Sequence, residues 1–374
     1  MLKSEIIKGQ RSWTFGNGCV HVSVTEAGGH MAPVTFFKDS DNPVEPFYIN
    51  PWAEEHSELS GLPAVLGPLR GDFFCLPFGG DNSWKGENHP PHGETSEKRW
   101  IYNEDESRGS SASFHLDTEV RKGRVTKTIG MGEGENNLYI SHRIEGFSGP
   151  ASLGHHVIFP GGSPKYISTS PIRFGYTDNN GSGGYSGGEY FSLARFQKFN
   201  SLKKVPTIWS DKPFTDCSVF PAREGFIDIL QVYNEPAGDF AWTAMVVPEE
   251  RYLWFALKDP EILPSTVLWM ENKGRHQHPW NGRNSCLGIE DVCSHLADGL
   301  SVSAEDNEIG RQGIKTSHLL NAEVAFEVKY IQGLVRIPEG FDRVSTIEKI
   351  ESGIRLKSKS GKTASAVVDV SFLS

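Results

Sequence analysis

The amino-acid sequence predicts an all-β protein built as one large antiparallel β-sandwich. Short runs of alternating or β-branched residues recur along the chain, as in CVHVSVTEAG, NLYISHRIEGF and EVAFEVKYI. This period of two is typical of strands with one buried face. The 40 glycines and 22 prolines supply turns between such runs, in stretches such as GNG, PGGSP and NEPAGD. Because turns are this frequent, long helices have little room.

The strand pattern continues without a visible domain boundary. No Gly/Ser linker divides the chain, and strand-like residues continue to its end, over 367–372. The sequence therefore predicts a single domain over residues 1–374. Segments 192–204 and 342–353 are modest helix candidates, and each could equally be a surface excursion. Segment 177–190, TDNNGSGGYSGGEY, is a loop by composition, either a plain surface insertion or a lid over a site.

Charge and composition exclude several classes of partner. The formal net charge of −10 is not offset by any basic block, which argues against nucleic acid and against an anionic membrane surface. The chain shows neither a membrane-spanning apolar run nor the apolar core of a signal peptide. We therefore expect a cytoplasmic protein with a small neutral ligand. Five scattered cysteines without CxxC spacing predict free thiols rather than disulfides or a thiolate zinc site.

Residues capable of chemistry concentrate in segments 69–100, 154–162 and 268–293. Seven of the thirteen histidines lie in or just after these segments. A histidine in a Pro/Gly-rich loop is more often structural than catalytic, so the clustering only indicates where a site is to be sought. The seven are His89, His92, His155, His156, His276, His278 and His295.

A series of short motifs in these segments resembles the motif order of the aldose 1-epimerases and hexose-phosphate epimerases. Each motif is weak alone, and it is their common order over more than half of the chain that carries the resemblance. The motifs are Arg70-Gly71, Pro77-x-Gly79, His92-Gly93, Trp100, His156-x-x-Phe159 and Glu290 in LGIE.

The resemblance implies a galactose mutarotase-like supersandwich and mutarotation of a hexose or related sugar without a cofactor or metal. In this reaction a base takes the C1 hydroxyl proton while an acid protonates the ring oxygen. Family roles carried to this chain make Glu290 the base, ionised at neutral pH, and His156 the protonated acid. His92 would assist by a hydrogen bond, and Arg70 would hold a sugar hydroxyl.

Alternatives remain for several of these residues. Arg70 could be a buried ion-pair partner that fixes its loop, and His92 could be a turn residue. Neighbours on a strand point to opposite faces, so only one of His155 and His156 can face the site, and the motif register favours His156. Trp269 is expected to stack on a sugar, although core packing explains it equally well.

The segment HQHPWNGR, together with Glu271, is expected to form a sugar-binding wall beside Glu290. The wall would consist of Glu271, His276, His278 and Arg283. A less favoured alternative is a metal site, because His-x-His on a strand places both rings on one face and His89 and His92 could complete the set.

Two further points concern the substrate and the reaction. Glu94 precedes Lys98 and Arg99, and its carboxylate disfavours a phosphorylated sugar. The family's additional aspartate has two candidates, Asp228 and Asp239.

The competing functions are a non-catalytic carbohydrate-binding protein and another carbohydrate enzyme, such as a glycosidase pairing Glu290 with Glu271 or Glu94. The sugar and the oligomeric state are left open.

Overall fold

The computed structural model describes residues 2–55, 58–179, 187–235 and 238–374, and strands dominate it. The α-helix α1 (Leu300–Ser303) is a single turn, and short 3₁₀ turns lie at Ala64–Leu66, Glu94–Ser96, Gly310–Gln312 and Val370–Leu373. In chain order the strands are β1 (Lys3–Ile7), β2 (Gln10–Gly16), β3 (His21–Thr25), β4 (Met31–Thr35), β5 (Asp72–Cys75), β6 (Asn82–Trp84), β7 (Glu87–His89), β8 (Ile101–Arg108), β9 (Ser111–Thr118), β10 (Gly123–Gly130), β11 (Asn137–Glu145), β12 (Gly149–Ala151), β13 (Leu153–Pro160), β14 (Lys165–Thr169), β15 (Ile172–Thr177), β16 (Lys198–Phe199), β17 (Val205–Pro206), β18 (Phe214–Thr215), β19 (Val219–Phe220), β20 (Phe226–Asn234), β21 (Ala241–Val247), β22 (Tyr252–Lys258), β23 (Ser265–Asn272), β24 (Ser285–Cys293), β25 (His318–Leu320), β26 (Phe326–Arg336), β27 (Val344–Ile350), β28 (Gly353–Ser358) and β29 (Thr363–Val367).

Two large antiparallel sheets form the sandwich, which confirms the predicted fold class. One sheet has eleven strands in the order β1-β2-β3-β4-β5-β13-β24-β23-β20-β15-β16, and the other has nine in the order β19-β14-β21-β22-β26-β11-β10-β9-β8. One cluster of buried side chains draws on both sheets. Phe159 of β13 packs on Trp254 of β22 with 4.9 Å between the ring centroids. The main core therefore lies between the two sheets.

A small sheet of β27, β28 and β29 forms a third layer on the far side of the nine-stranded sheet. Its apolar residues Ile347 and Ile354 belong to one buried cluster with Phe255 and Leu257 of β22. The helix expected over 342–353 is therefore wrong, because Val344–Ile350 pairs with β28 along its length. No helix forms over 192–204 either, where turns and β16 are found.

The central strand β13 presents consecutive histidines to opposite faces of the eleven-stranded sheet. His155 faces the nine-stranded sheet, where its Nδ1 lies 3.0 Å from Asp72 Oδ2 and its ring stacks on Tyr330 at 4.1 Å. Gln332 of β26 donates to the same carboxylate oxygen of Asp72. His156 faces the other way, as the motif register predicts. The two consecutive histidines of β13 therefore lie in two different environments, one between the sheets and one on the opposite face of the large sheet.

A second buried polar centre lies nearby between the sheets. Lys258 Nζ and Asp291 Oδ1 are 2.5 Å apart, and both side chains are fully buried. Thr243, Thr266 and the Tyr330 hydroxyl also donate to the carboxylate of Asp291. Buried charges require such complete pairing because water cannot solvate them.

Other expectations have more limited outcomes. All five cysteines are free, as expected from their spacing. In the described part of the chain, no helix has the length and apolar character needed to cross a bilayer. Half of the predicted loop 177–190, residues 180–186, lies outside the described residues, so neither of its two interpretations is decided.

Replacing Asp291 by Asn should lower the free energy of unfolding by about 3–5 kcal/mol, because Lys258 is then left buried without its counter-charge. Urea denaturation of the wild type and the variant measures this loss. Asp117→Asn is the control: it breaks an exposed pair with Arg124 and should cost less than about 1 kcal/mol. Equal losses in the two variants would contradict the role assigned to the buried pair.

Candidate functional site

A cavity of about 270 Å³ opens on the face of the eleven-stranded sheet that points away from the nine-stranded sheet. Strands β5, β13, β20, β23 and β24 form its floor, and loops from several parts of the chain form its walls. The lining residues are Val65, Leu66, Leu69, Phe73, Gly80, His92, His156, Asp178, Glu189, Phe191, Ile229, Val267, Trp269, Arg275, Trp280, Glu290, Ala297 and Asp298.

His156 and Glu290 meet at the centre of this floor. They are direct partners across the antiparallel pair of β13 and β24, and His156 Nε2 lies 3.4 Å from Glu290 Oε1. Gly288, two residues before Glu290 on the same face, makes room for the carboxyl group: a Cβ there would lie 2.6 Å from Glu290 Oε1. The sheet register and this glycine together place the carboxyl group beside the imidazole.

His92 and Phe73 complete the surroundings of His156. The His156 ring stacks on Phe73 with 4.6 Å between centroids, and the His92 ring lies 5.2 Å away, edge to face. His92 adopts a left-handed backbone conformation, with φ of +61°, and its Nδ1 lies 3.5 Å from Cys75 Sγ. The turn that the sequence suggested for His92 is thus present, and it delivers the ring into the cavity.

Burial shifts the pKa values of Glu290, His156 and His92. It raises the pKa of Glu290 well above the ordinary value, and the charge of Arg275 opposes that rise only in part. Burial also lowers the pKa of His156 well below its ordinary value, with His92 and His30 acting in the same direction. The pKa of His92 is lowered to about 4, again mainly by burial.

These directions correct the predicted charge states. The sequence led us to expect an ionised Glu290 and a protonated His156, whereas burial favours the neutral form of both groups. Burial thus favours a proton on the carboxyl group of Glu290 and none on the second nitrogen of the His156 imidazole. A pair in this state offers one proton donor and one proton acceptor 3.4 Å apart.

Tryptophans form the apolar side of the cavity. Trp269 lies 5.7 Å from the His156 ring and 5.8 Å from Trp280, which in turn packs on Trp52 at 4.9 Å. The Nε1 donor of Trp269 is buried and has no hydrogen-bond partner in the described protein. An aromatic surface of this kind suits a ligand that presents C–H groups.

The loop between β23 and β24 contributes Arg275, which the sequence analysis missed. Its Nε donates to Glu189 Oε1 at 2.9 Å, and its guanidinium lies 5.1 Å from the Trp280 ring centroid and 5.5 Å from that of Trp269. Glu271, also buried, accepts from the backbone N–H groups of Gly274 and Arg275 at 2.7 and 3.3 Å. Glu271 thus supports the wall from below without lining the cavity.

Arg70, predicted to hold a sugar hydroxyl, lies outside the cavity. Its guanidinium donates to three backbone carbonyls, those of Ile7, Lys8 and Pro68. Its buried role is therefore to fix a loop, close to the structural alternative stated for it, although its partners are carbonyl groups rather than a carboxylate.

Three members of the predicted sugar-binding wall also point elsewhere. His276, His278 and Arg283 are exposed. His278 contacts the Glu58 carbonyl, and Arg283 forms a two-pronged ion pair with Glu55. Their segment, 273–284, is a loop and not a strand, so the same-face argument for His-x-His fails.

The remaining candidates are accounted for by structural contacts. Glu94 accepts from the backbone of Glu119 and Val120. Asp228 binds Arg223, Asp239 is paired at the surface with Lys349, and the Trp100 indole donates to the Thr95 carbonyl inside the core. Within the described ranges, no group of three or more histidine, cysteine or carboxylate side chains could hold a metal ion.

Several cavity residues carried no readable signal in the sequence. Asp178 and Asp298 line the cavity, and the Asp298 carboxylate is held by His295 Nδ1 at 2.8 Å. Asp178 and Glu189 lie near the two ends of segment 177–190, and folding brings Glu189 to Arg275 of the β23–β24 loop. Their spacing along the chain does not indicate that they line a common cavity.

The chain is thus a large antiparallel β-sandwich with a histidine–glutamate pair in a cavity on its eleven-stranded sheet. No family model matches the sequence, and no curated protein matches it. Solved structures do match in fold.

A galactose mutarotase-like protein from Clostridium acetobutylicum superposes with a TM-score of 0.61 at 12% identity, covering 90% of this chain and 99% of the other. The galactose mutarotase related enzyme from Lactobacillus acidophilus gives 0.54 at 12% identity, with coverages of 86% and 97%. A galactose mutarotase-like protein from Lactobacillus casei gives 0.54 at 12% identity, with 86% and 99%. The chain therefore has the galactose mutarotase-like fold.

Replacing Glu271 by Gln should flatten the dependence of stability on pH. Burial raises the pKa of Glu271 from 4.5 to about 7, so between these values the folded state holds a proton that the unfolded state releases. Stability therefore falls as the pH rises through this window, by about 3 kcal/mol at 1.36 kcal/mol per pKa unit, and the variant should not show this fall.

Urea denaturation of both proteins at several pH values between 4.5 and 7 measures the effect. The stability of the wild type relative to the variant should decline steadily across that range. Two parallel curves would show that the carboxyl group of Glu271 has an ordinary pKa.

Proposed function

We propose that this protein is an aldose 1-epimerase that interconverts the α and β anomers of a neutral monosaccharide. The observation that carries the proposal is the contact of His156 with Glu290 at the floor of the cavity. Ring opening and closure of a hemiacetal need one acid and one base that act on adjacent oxygens. A carboxyl group and an imidazole that share one proton meet this need.

The resting charge state assigns the first roles. Neutral His156 takes the proton of the C1 hydroxyl while the carboxyl group of Glu290 gives its proton to the ring oxygen. The C1–O5 bond breaks, and the sugar becomes an open-chain aldehyde. The resulting imidazolium and carboxylate stabilise each other because they are adjacent and shielded from water.

Closure on the other face restores the pair. After rotation about C1–C2, the C5 hydroxyl attacks the aldehyde and gives its proton to the carboxylate of Glu290. The imidazolium of His156 protonates the new alkoxide oxygen on C1. Both groups return to their starting states, so the cycle consumes no cofactor. His92, neutral and 5.2 Å from the His156 ring, is placed to hydrogen-bond a neighbouring sugar oxygen.

The cavity favours one uncharged sugar ring. Its volume of about 270 Å³ lies just below the range of drug-sized pockets, so it suits a monosaccharide better than a longer chain. Trp269 and Trp280 offer surfaces for the C–H face of a sugar. Lys98 and Arg99, the cations that follow the His92-Gly93 motif, are outside the cavity and paired with Glu119 and Glu26.

The wild-type protein should accelerate the optical-rotation change of freshly dissolved α-glucose or α-galactose, and Glu290→Gln should remove most of that acceleration. Glutamine keeps the shape of the side chain but cannot exchange the proton. Polarimetry measures the rates, and Glu94→Gln, which changes a carboxylate outside the cavity, is the matched control. Loss of activity in the control alone, or retention in Glu290→Gln, would contradict the assignment.

If no acceleration is seen with any monosaccharide, the reaction is wrong and a sugar-binding role takes its place. Calorimetric titration of the same sugars into the wild type then decides whether the cavity binds them at all.

The catalysed rate should be level around neutral pH. Because burial lowers the pKa of His156, the loss of the base on the acid side should occur well below 6.5. Because burial raises the pKa of Glu290, the loss of the acid on the alkaline side should occur well above 4.5. A rate that falls by half near pH 6.5, as for an exposed histidine, would contradict the buried pair.

A further inference from the structure

Arg275 is the only lysine or arginine among the described residues that line the cavity. Its side chain is 23% exposed, and it rests on the Trp280 and Trp269 rings. Among the described residues, the guanidinium donates one hydrogen bond, from its Nε to the carboxylate of Glu189. Its other N–H groups donate to none of the described residues, so they are available at the cavity.

The backbone of Arg275 is held on two sides. From one side Glu271 Oε1 accepts the N–H groups of Gly274 and Arg275. From the other, the Glu189 segment pairs with it through a β-bridge. Gly274 is required for this path, since a Cβ there would lie 2.0 Å from the backbone nitrogen of Ile227 on β20. The guanidinium is therefore placed before any ligand arrives.

The charge of Arg275 acts on the centre of the site. Eight titratable side chains surround Glu290 in or beside the cavity: His156 on β13, Cys75 on β5, Cys286 on β24, and the loop residues His92, Arg275, Glu189, Asp178 and Asp298. Burial raises the pKa of both cysteines and lowers that of both histidines. Arg275 is the one lysine or arginine in this group of described residues.

We propose that Arg275 is a substrate-positioning residue, which donates from its free N–H groups to a sugar hydroxyl. Because Arg275 lines the same cavity as Glu290, its positive charge also stabilises negative charge on that carboxyl group. Arg275 takes the place that the sequence motif suggested for Arg70. Glu189 moderates its charge and fixes its orientation. The contact with sugar rests on the proposed function, whereas the effect on Glu290 requires no substrate.

The effect on Glu290 is tested by carbon-13 NMR of protein labelled at the glutamate side-chain carboxyl, with Glu290→Gln identifying the resonance. In Arg275→Gln the titration of Glu290 should move upward by about one pKa unit, as expected for the loss of a nearby opposite charge. In Glu189→Gln it should move downward, because the charge of Arg275 is no longer balanced. Arg283→Gln removes a cation from the same loop but outside the cavity and should leave the titration in place.

The sugar contact is tested by steady-state mutarotation. Arg275→Lys keeps the charge and should leave the Glu290 titration within a few tenths of a unit, but it should raise KM several-fold because an ammonium lacks the guanidinium fork. Arg275→Lys and Glu189→Gln also keep the test valid if Arg275→Gln does not fold.

An unmoved Glu290 titration in both Arg275→Gln and Glu189→Gln, or an equal shift in Arg283→Gln, would overturn the electrostatic part. An unchanged KM in Arg275→Lys would overturn the sugar contact. A wild type that converts no sugar refutes the proposed epimerase, and the NMR titration still decides the effect of Arg275 on Glu290.

Discussion

The pairing of β13 with β24 at the centre of the large sheet is the constraint on which the rest of the structure depends. Its register sets His156 opposite Glu290 and His155 opposite Asp291. Because side chains alternate across a strand, one face of this pair forms the floor of the cavity and the other enters the space between the sheets. A slip of one residue would exchange the two faces.

The two faces treat buried polarity differently. Between the sheets, Asp291 and Lys258 stay charged because each has a full set of partners. In the cavity, Glu290 and His156 have few partners besides each other, and burial drives both toward their neutral forms. Stable charge thus lies where the protein needs rigidity, and exchangeable protons lie where a ligand can reach them.

Loops contribute most of the charged side chains that line the cavity. The floor contains His156, Glu290 and Phe73, while Arg275, Glu189, Asp178 and Asp298 come from connections that are far apart in sequence. Solved proteins with the same fold share only about an eighth of their residues with this chain. A fixed sheet register with variable loops allows such divergence, because loops tolerate substitutions that a packed strand does not.

The sequence by itself determined the all-β class, because alternation of apolar residues is a local property that each strand carries. The motif order also identified His92, His156 and Glu290, and the strand period separated His156 from His155. Only the tertiary structure decided the arginine of the site: Arg70 turns to backbone carbonyls and Arg275 enters the cavity. It likewise sets the direction in which the pKa values of His156 and Glu290 shift, since a pKa depends on burial and on neighbours brought together by folding. Neither a side chain's direction in a loop nor its exclusion from water can be computed from its neighbours in the chain.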